Sequence, residues 1–161
     1  MSSSITIILL WTAAISSGLM AGVYFAFSAF IMKAFGNLDT TQSIAAMNSI
    51  NRTILHSLFI PLFFGSSIVS VLLIVVAFFH WGEAGYEITL LAGIIYLVGM
   101  FVCTIAFNVP LNNSLAKIYA NDSSAQQVWS HYLKNWTNWN HLRALSSLTT
   151  CVLCIWLIGN C

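Results

Sequence analysis

Charged side chains are scarce in this sequence. Asp, Glu, Lys and Arg make up 6% of its 161 residues, where a soluble domain carries about a quarter. The formal net charge is +1, and no run of Lys or Arg is present to collect phosphates, which excludes nucleic acid as a partner. Apolar residues make up 59%. The composition predicts an integral membrane protein, with residues 1–161 forming a single domain.

Residues typical of metal and redox sites are also few. Three of the four cysteines lie inside apolar segments, where cysteine behaves as a small hydrophobe. Cys151 and Cys154 have the spacing of a redox motif, but no basic neighbour would activate either thiol. All four carboxylate side chains lie outside the long apolar segments. A di-iron carboxylate site would therefore lack its ligands.

The chain contains four long apolar runs. Before the last of them, segment 114–135 is polar but carries apolar residues at helical spacing. This pattern predicts a short amphipathic surface helix that runs into, or breaks just before, the last apolar run. Gly18 and Gly22 predict a close helix contact and a homo-oligomer through this pair. We predict an all-α, integral membrane, antiparallel four-helix bundle. Its spans are predicted at about residues 5–35, 54–79, 88–109 and 142–158.

The basic residues predict the orientation. All of them lie in or beside the first and third connections between spans, whereas the second connection carries only acidic residues. The positive-inside rule assigns the basic side to the cytoplasm, so both chain ends would lie outside it, in a bacterial inner membrane. The basic residues are Lys33, Arg52, Lys117, Lys134 and Arg143.

One stretch concentrates hydrogen-bonding capacity where the last apolar run begins, namely Trp-Thr-Asn-Trp-Asn-His-Leu-Arg at residues 136–143. On a helix, Trp136, Asn140 and Arg143 share one face, while His141 points about 100° away from Asn140. Polar groups inside a membrane are costly and usually mark function.

Two further polar sets are expected at the same end of the bundle. Asn108 and Asn112 flank a proline at the end of the third span, and Arg52 and His56 lie at the start of the second.

Three functions are compatible with this set of residues. His56 and His141 could bind haem or copper in a protein for electron transfer or sensing. A histidine could instead take a proton from a phenol or carbon acid, with Asn and Arg holding the oxyanion, and the carbanion could react with dioxygen without a cofactor. The polar groups could also only tie helices together in a non-catalytic interaction subunit. We favour the second function.

Four motifs resemble the anthrone-oxygenase-like family of small four-helix membrane proteins, whose bacterial members are mostly labelled a domain of unknown function. The motifs are Gly22-Val-Tyr-Phe-Ala-Phe-Ser28, Asn48-x-x-Asn51, Asn108-Val-Pro-Leu-Asn112 and Trp136-x-x-Trp139-Asn140-His141-x-Arg143. The resemblance implies an oxygenase that inserts oxygen at the activated methylene carbon of a tricyclic anthrone to give an anthraquinone, with no added cofactor. Position by position, it places Asn108, Asn112, Trp139, Asn140, His141 and Arg143 at the family's polar end.

The predicted protein is therefore a small membrane oxidoreductase whose partners are a planar lipophilic aromatic molecule, dioxygen and the lipid bilayer. No metal or cofactor is assigned, and haem or copper would use His56 and His141. The predicted catalytic residues are His141, His56, Asn108, Asn140 and Arg143. The predicted substrate-binding residues are Tyr24, Asn51, Asn112, Trp136 and Trp139.

Overall fold

The computed structural model describes residues 4–118 and 122–160, which form helices joined by turns and contain no strand. Four of the helices are long and apolar enough to cross a membrane, and the second is shorter and amphipathic. The helices are α1 Ser4–Gly36, α2 Thr40–Ile54, α3 Phe59–Phe79, α4 Tyr86–Leu115 and α5 Ala125–Gly159.

The four long helices form a closed antiparallel ring. α1 packs against α5 and α3, and α4 packs against α3 and α5, so helices adjacent in sequence are adjacent in space. The 35 residues of α5 extend about 50 Å, and a hydrocarbon core is about 30 Å thick. The predicted four-helix membrane bundle is confirmed, with part of α5 projecting beyond the bilayer.

Small residues let the helices approach closely. A Cβ added at Gly93 of α4 would lie 2.9 Å from the Ser70 carbonyl oxygen of α3, and one added at Gly99 would overlap the Ser146 side chain of α5. Gly18 faces Cys151 within the bundle, whereas a Cβ at Gly22 would meet open space. A homo-oligomer through Gly18 and Gly22 stays a prediction.

The second span begins at Phe59, later than the residue 54 that the sequence predicts. The Ser57 hydroxyl accepts a hydrogen bond from the Phe59 amide at 3.2 Å and donates one to the Ile54 carbonyl at 2.8 Å, so it caps both helix ends at the break. Pro61 then falls in the first turn of α3, where its missing N–H costs no helical hydrogen bond. The break separates His56 from the helical face that carries Asn48 and Arg52.

α2 is an amphipathic helix of 15 residues. Its buried residues Ser43, Ile44 and Met47 share one face. The Ser43 hydroxyl donates to the Phe35 carbonyl of α1 at 2.6 Å, and Thr40 contacts Gln126 of α5. These contacts hold α2 across one end of the bundle, which we call the α2 end.

Residues 125–135 of the predicted amphipathic segment run into the fourth span without a break, as the first part of α5, whereas its residues 119–121 lie outside the described residues. Its aromatic residues Trp129, Tyr132 and Trp136 stack in series, with ring centroids 5.7 Å and 6.1 Å apart. They pack with the buried face of α2 in one apolar cluster. The α2 end is therefore a small apolar core built outside the main bundle.

Two helices contain π-helical turns near this end, Phe27–Ile31 in α1 and both Leu97–Val102 and Thr104–Asn108 in α4. Pro110 of α4 has no N–H to donate to the preceding turn, which favours the irregular hydrogen bonding there. Such turns bulge the helix and are frequent at functional sites. In this chain the turns at residues 27–31 and 104–108 contribute to the wall of a large cavity.

Candidate functional site

A cavity of about 460 Å³ lies at the α2 end, within the range of about 300–1,000 Å³ typical of small-molecule sites. All five helices contribute to its wall. Stacked aromatic rings form its wall on the α3 side: Phe59 stacks on Phe63 with centroids 5.8 Å apart, and Phe63 stacks on Phe101 at 5.2 Å. The flat rings and the mainly apolar wall suit a planar, lipophilic ligand.

Arg143 is the charged group of the inner wall and is only 4% exposed. Its guanidinium carbon lies 4.4 Å from the centre of the Tyr24 ring and 4.9 Å from that of Trp136. Nη2 donates to Asn140 Oδ1 at 2.8 Å, and Nη1 donates to Thr104 Oγ1 at 3.5 Å. The guanidinium is therefore held by two ring faces and two neutral acceptors.

Asn140 fixes Arg143 from behind. It is fully buried and does not line the cavity. Its Nδ2 donates to the Tyr24 carbonyl and to Ser28 Oγ, both at 2.7 Å, on either side of the start of the π-helical turn of α1. Because both ends of its amide are in use, Asn140 positions Arg143 and Tyr24 and has no free donor for a ligand.

Asn108 and Asn112 line the cavity from α4. Asn108 is 1% exposed, and its Nδ2 donates to the Trp136 carbonyl at 3.2 Å, which leaves Oδ1 without a partner. Asn112 Oδ1 accepts a hydrogen bond from the Tyr132 hydroxyl at 2.8 Å. Asn51 lies on the α2 side of the wall, and its Nδ2 makes no hydrogen bond of good geometry although Tyr132 lies nearby.

Buried polar atoms without a hydrogen-bond partner concentrate in this wall. Among the described residues there are eight such side-chain atoms, and six belong to cavity-lining residues. Buried polar groups are normally paired, so a cluster of unpaired ones facing a cavity indicates a missing ligand. The six atoms are Tyr24 Oη, Asn48 Oδ1, Asn51 Nδ2, Asn108 Oδ1, Trp136 Nε1 and Arg143 Nε.

Exposed apolar lining residues on α3 and α4 indicate that the cavity opens sideways between these helices. They are Phe64, Ile105 and Val109, which are 37–49% exposed, and Leu55, between α2 and α3, is exposed as well. Arg52 and Asn113 are the exposed polar residues of the rim and lie toward the α2 end. The exposed part of the wall therefore has both apolar and polar residues.

The structure brings six of the ten predicted residues to the cavity wall; Asn140 lies behind Arg143, and three others lie elsewhere. Trp139 stacks on Phe107 with centroids 3.8 Å apart, away from the cavity lining. His56 and His141 are exposed and do not line the cavity either. In the described part of the chain no three His, Cys, Asp or Glu side chains group as metal ligands would. The predicted residues that line the cavity are Tyr24, Asn51, Asn108, Asn112, Trp136 and Arg143.

Several wall residues were not assigned from the sequence, although their spacing could have indicated them. Thr104 lies four residues before Asn108, and Phe27 lies three after Tyr24, so each shares a helical face with a predicted residue. Asn48 occurs in the quoted Asn48-x-x-Asn51 motif. The aromatic rings of α3 carried no such signal, because they look like ordinary lipid-facing residues.

Comparison with known families gives one match that covers well over half of the chain. A family model described as "Anthrone oxygenase" matches residues 55–153. The match includes α3, α4 and most of α5, and with them Asn108, Asn140 and Arg143. Neither the curated proteins nor the solved structures give a match.

Proposed function

Since this chain belongs to the anthrone oxygenase family, we propose that it is a small membrane oxygenase acting on a planar, lipophilic, anthrone- or hydroquinone-like molecule bound in the α2-end cavity. The observation that carries the proposal is the set of unpaired polar atoms around Arg143 in an otherwise apolar cavity. With an anthrone as substrate, the activated methylene carbon loses two hydrogens and gains one oxygen atom, and the second oxygen atom of dioxygen leaves as water.

The residues divide into distinct roles in this proposal. Arg143 donates to a substrate oxygen through its free Nε, and Asn108 Oδ1 accepts a hydrogen bond from a substrate hydroxyl, because both residues line the wall. A preorganised donor beside a developing oxyanion is among the largest contributions to catalysis. Tyr24, Trp136 and Asn51 shape and orient the ring system, and Asn140 positions Arg143. His141 and His56 stay predictions for the base, since both lie outside the cavity.

The proposed location is the bacterial inner membrane. Four of the five basic residues lie on the segments that form the α2 end, and Arg143 lies beside them. The positive-inside rule then places the α2 end at the cytoplasmic face, with the two chain ends on the other side.

Oxygen uptake by purified protein in lipid nanodiscs tests the proposed reaction. With anthrone as substrate, we expect uptake above that of empty nanodiscs and formation of one quinone per dioxygen consumed. Asn108→Leu should lower the rate strongly. Asn138→Leu should not, because Asn138 is exposed on α5 and does not line the cavity. Absence of uptake over a panel of anthrones and hydroquinones would remove the proposal.

The sideways opening predicts entry from the bilayer. Ile105 is 49% exposed at the apolar part of the rim, so Ile105→Trp should obstruct entry and lower kcat/KM several-fold while changing kcat little. Ile94→Trp is the matched control, because Ile94 lies on the same helix, is 42% exposed and does not line the cavity. Equal kinetics for the two variants would show that the substrate enters elsewhere.

A further inference from the structure

Arg143 carries a buried charge that the protein does not balance. None of the four carboxylate side chains lines the cavity. The titratable groups that face the guanidinium are Tyr24 of α1, Cys103 of α4 and Tyr132 of α5, and such side chains are neutral at pH 7. α3 contributes only apolar residues to the wall, and Arg52 of α2 adds a second positive charge. A buried cation is normally paired, so the counter-charge is expected from the ligand.

The free polar atoms next to this charge include donors. Arg143 Nε and Trp136 Nε1 have no hydrogen-bond partner, and the Tyr24 hydroxyl makes no hydrogen bond of good geometry although Thr104 and Arg143 lie nearby. Unpaired donors around one positive charge match an oxygen atom with a full negative charge, because such charge-assisted hydrogen bonds are the strong ones.

The unpaired acceptors are separate from these donors. Asn108 Oδ1 and Asn48 Oδ1 belong to α4 and α2, and each lacks a donor. A ligand that satisfies both sets carries an ionised oxygen at Arg143 and a hydroxyl or similar donor on another edge. Stacked aromatic rings along the wall favour a flat ring system over a flexible chain.

We propose that the ligand of this cavity is a lipophilic phenol or enol bound in its ground state as the anion, with the ionised oxygen at Arg143. This rests on the proposed function only in placing the substrate in the same cavity. The neutral acid dissolves in the bilayer, binds, and releases one proton to the buffer, so the cavity selects weak acids among lipophilic aromatics. An opposite charge within about 4–6 Å lowers the pKa of an acid by about 1–3 units.

Spectroscopic titration of a bound phenol tests this inference without any oxygenase reaction. The probe is 4-nitrophenol, whose anion absorbs at a longer wavelength than the neutral form, and its methyl ether 4-nitroanisole is the control that cannot ionise. In protein-loaded nanodiscs, the bound probe should ionise at a pH at least about one unit lower than in empty nanodiscs. At neutral pH, 4-nitrophenol should also bind at least about tenfold more tightly than its ether.

A negative charge introduced next to Arg143 should remove the pKa shift of the bound probe. Thr104 lies next to Arg143 and lines the cavity, so Thr104→Asp would supply the missing counter-charge and abolish the shift. Thr104→Asn introduces a side chain of nearly the same shape as aspartate but without the charge, and it should keep most of the pKa shift of the bound probe. Arg143→Lys should retain a smaller shift, because lysine keeps the charge but not the planar fork.

Several results would overturn the inference. They are an unshifted or raised pKa of the bound probe, equal binding of the ether, no binding of either probe, equal behaviour of Thr104→Asp and Thr104→Asn, or tighter binding of myristate than of the phenols. The wild-type titration decides the question even if a variant fails to fold. A lowered pKa without anthrone-dependent oxygen uptake would preserve the anion site and remove only the proposed oxygenase reaction.

Discussion

Anthrone-dependent oxygen uptake is expected to fall on the order of a hundredfold or more when Arg143 is replaced by methionine. Arg143 is 4% exposed and keeps Nε free toward the cavity, so its charge acts on a substrate oxygen with little screening by water. Methionine is similar in length and apolar, and it would leave Asn140 Oδ1 as the main unpaired group. The loss should appear in kcat as well as in kcat/KM, because a substrate bound without the charge stays protonated and must ionise before it reacts with dioxygen.

Two further variants separate charge from shape. Arg143→Lys should recover part of the activity but not all, since lysine cannot donate to Asn140 and Thr104 with a planar fork. Arg52 also lines the cavity but is exposed, so Arg52→Met should cost at most about fivefold, the range of a solvent-screened charge. Equal losses for Arg52→Met and Arg143→Met, with both proteins folded, would mean that Arg143 has no special role.

Hydropathy was sufficient to predict the bundle, because each long apolar run needs a bilayer and a helix satisfies its own backbone there. The first span agrees closely, with residues 5–35 predicted and Ser4–Gly36 observed. The α2 end could not be derived in the same way. Whether residues 54–58 continue a helix depends on Ser57 capping both sides of a break, and hydropathy averages over such single contacts.

Helical spacing predicted which residues of α5 face inward more accurately than the chemical character of the side chains did. Trp136, Asn140 and Arg143 were placed on one face, and all three are buried together. His141 was assigned a catalytic role because histidine titrates near pH 7, although its position points about 100° away from Asn140. The structure leaves it exposed. Asn140 is held away from the wall by its hydrogen bonds to Tyr24 and Ser28 of α1, contacts that helical periodicity within α5 does not reveal.

The second large effect is expected on stability. Gly99→Ala should lower the free energy of unfolding by about 1–3 kcal/mol or more, as overpacked cores do. An added Cβ would lie 2.6 Å from the Ser146 Cβ and would overlap its hydroxyl. The hydroxyl could rotate away, but the Cβ is fixed to the α5 backbone, so α4 and α5 must separate. Thermal unfolding in detergent measures the loss, with Gly22→Ala as the control because a Cβ there meets open space.

The contact between Gly99 and Ser146 also connects stability to the site, since Ser146 follows Arg143 by three residues on the same buried face of α5. Separating the helices at this point would move Arg143 away from Thr104 of α4. Gly99→Ala should therefore weaken 4-nitrophenol binding in the fraction that remains folded. Adding Ser146→Gly removes the obstructing Cβ and should restore most of both losses, apart from about 1 kcal/mol for a glycine inside a helix. Additive rather than compensating effects in this double-mutant cycle would show that the two helices do not meet through this pair.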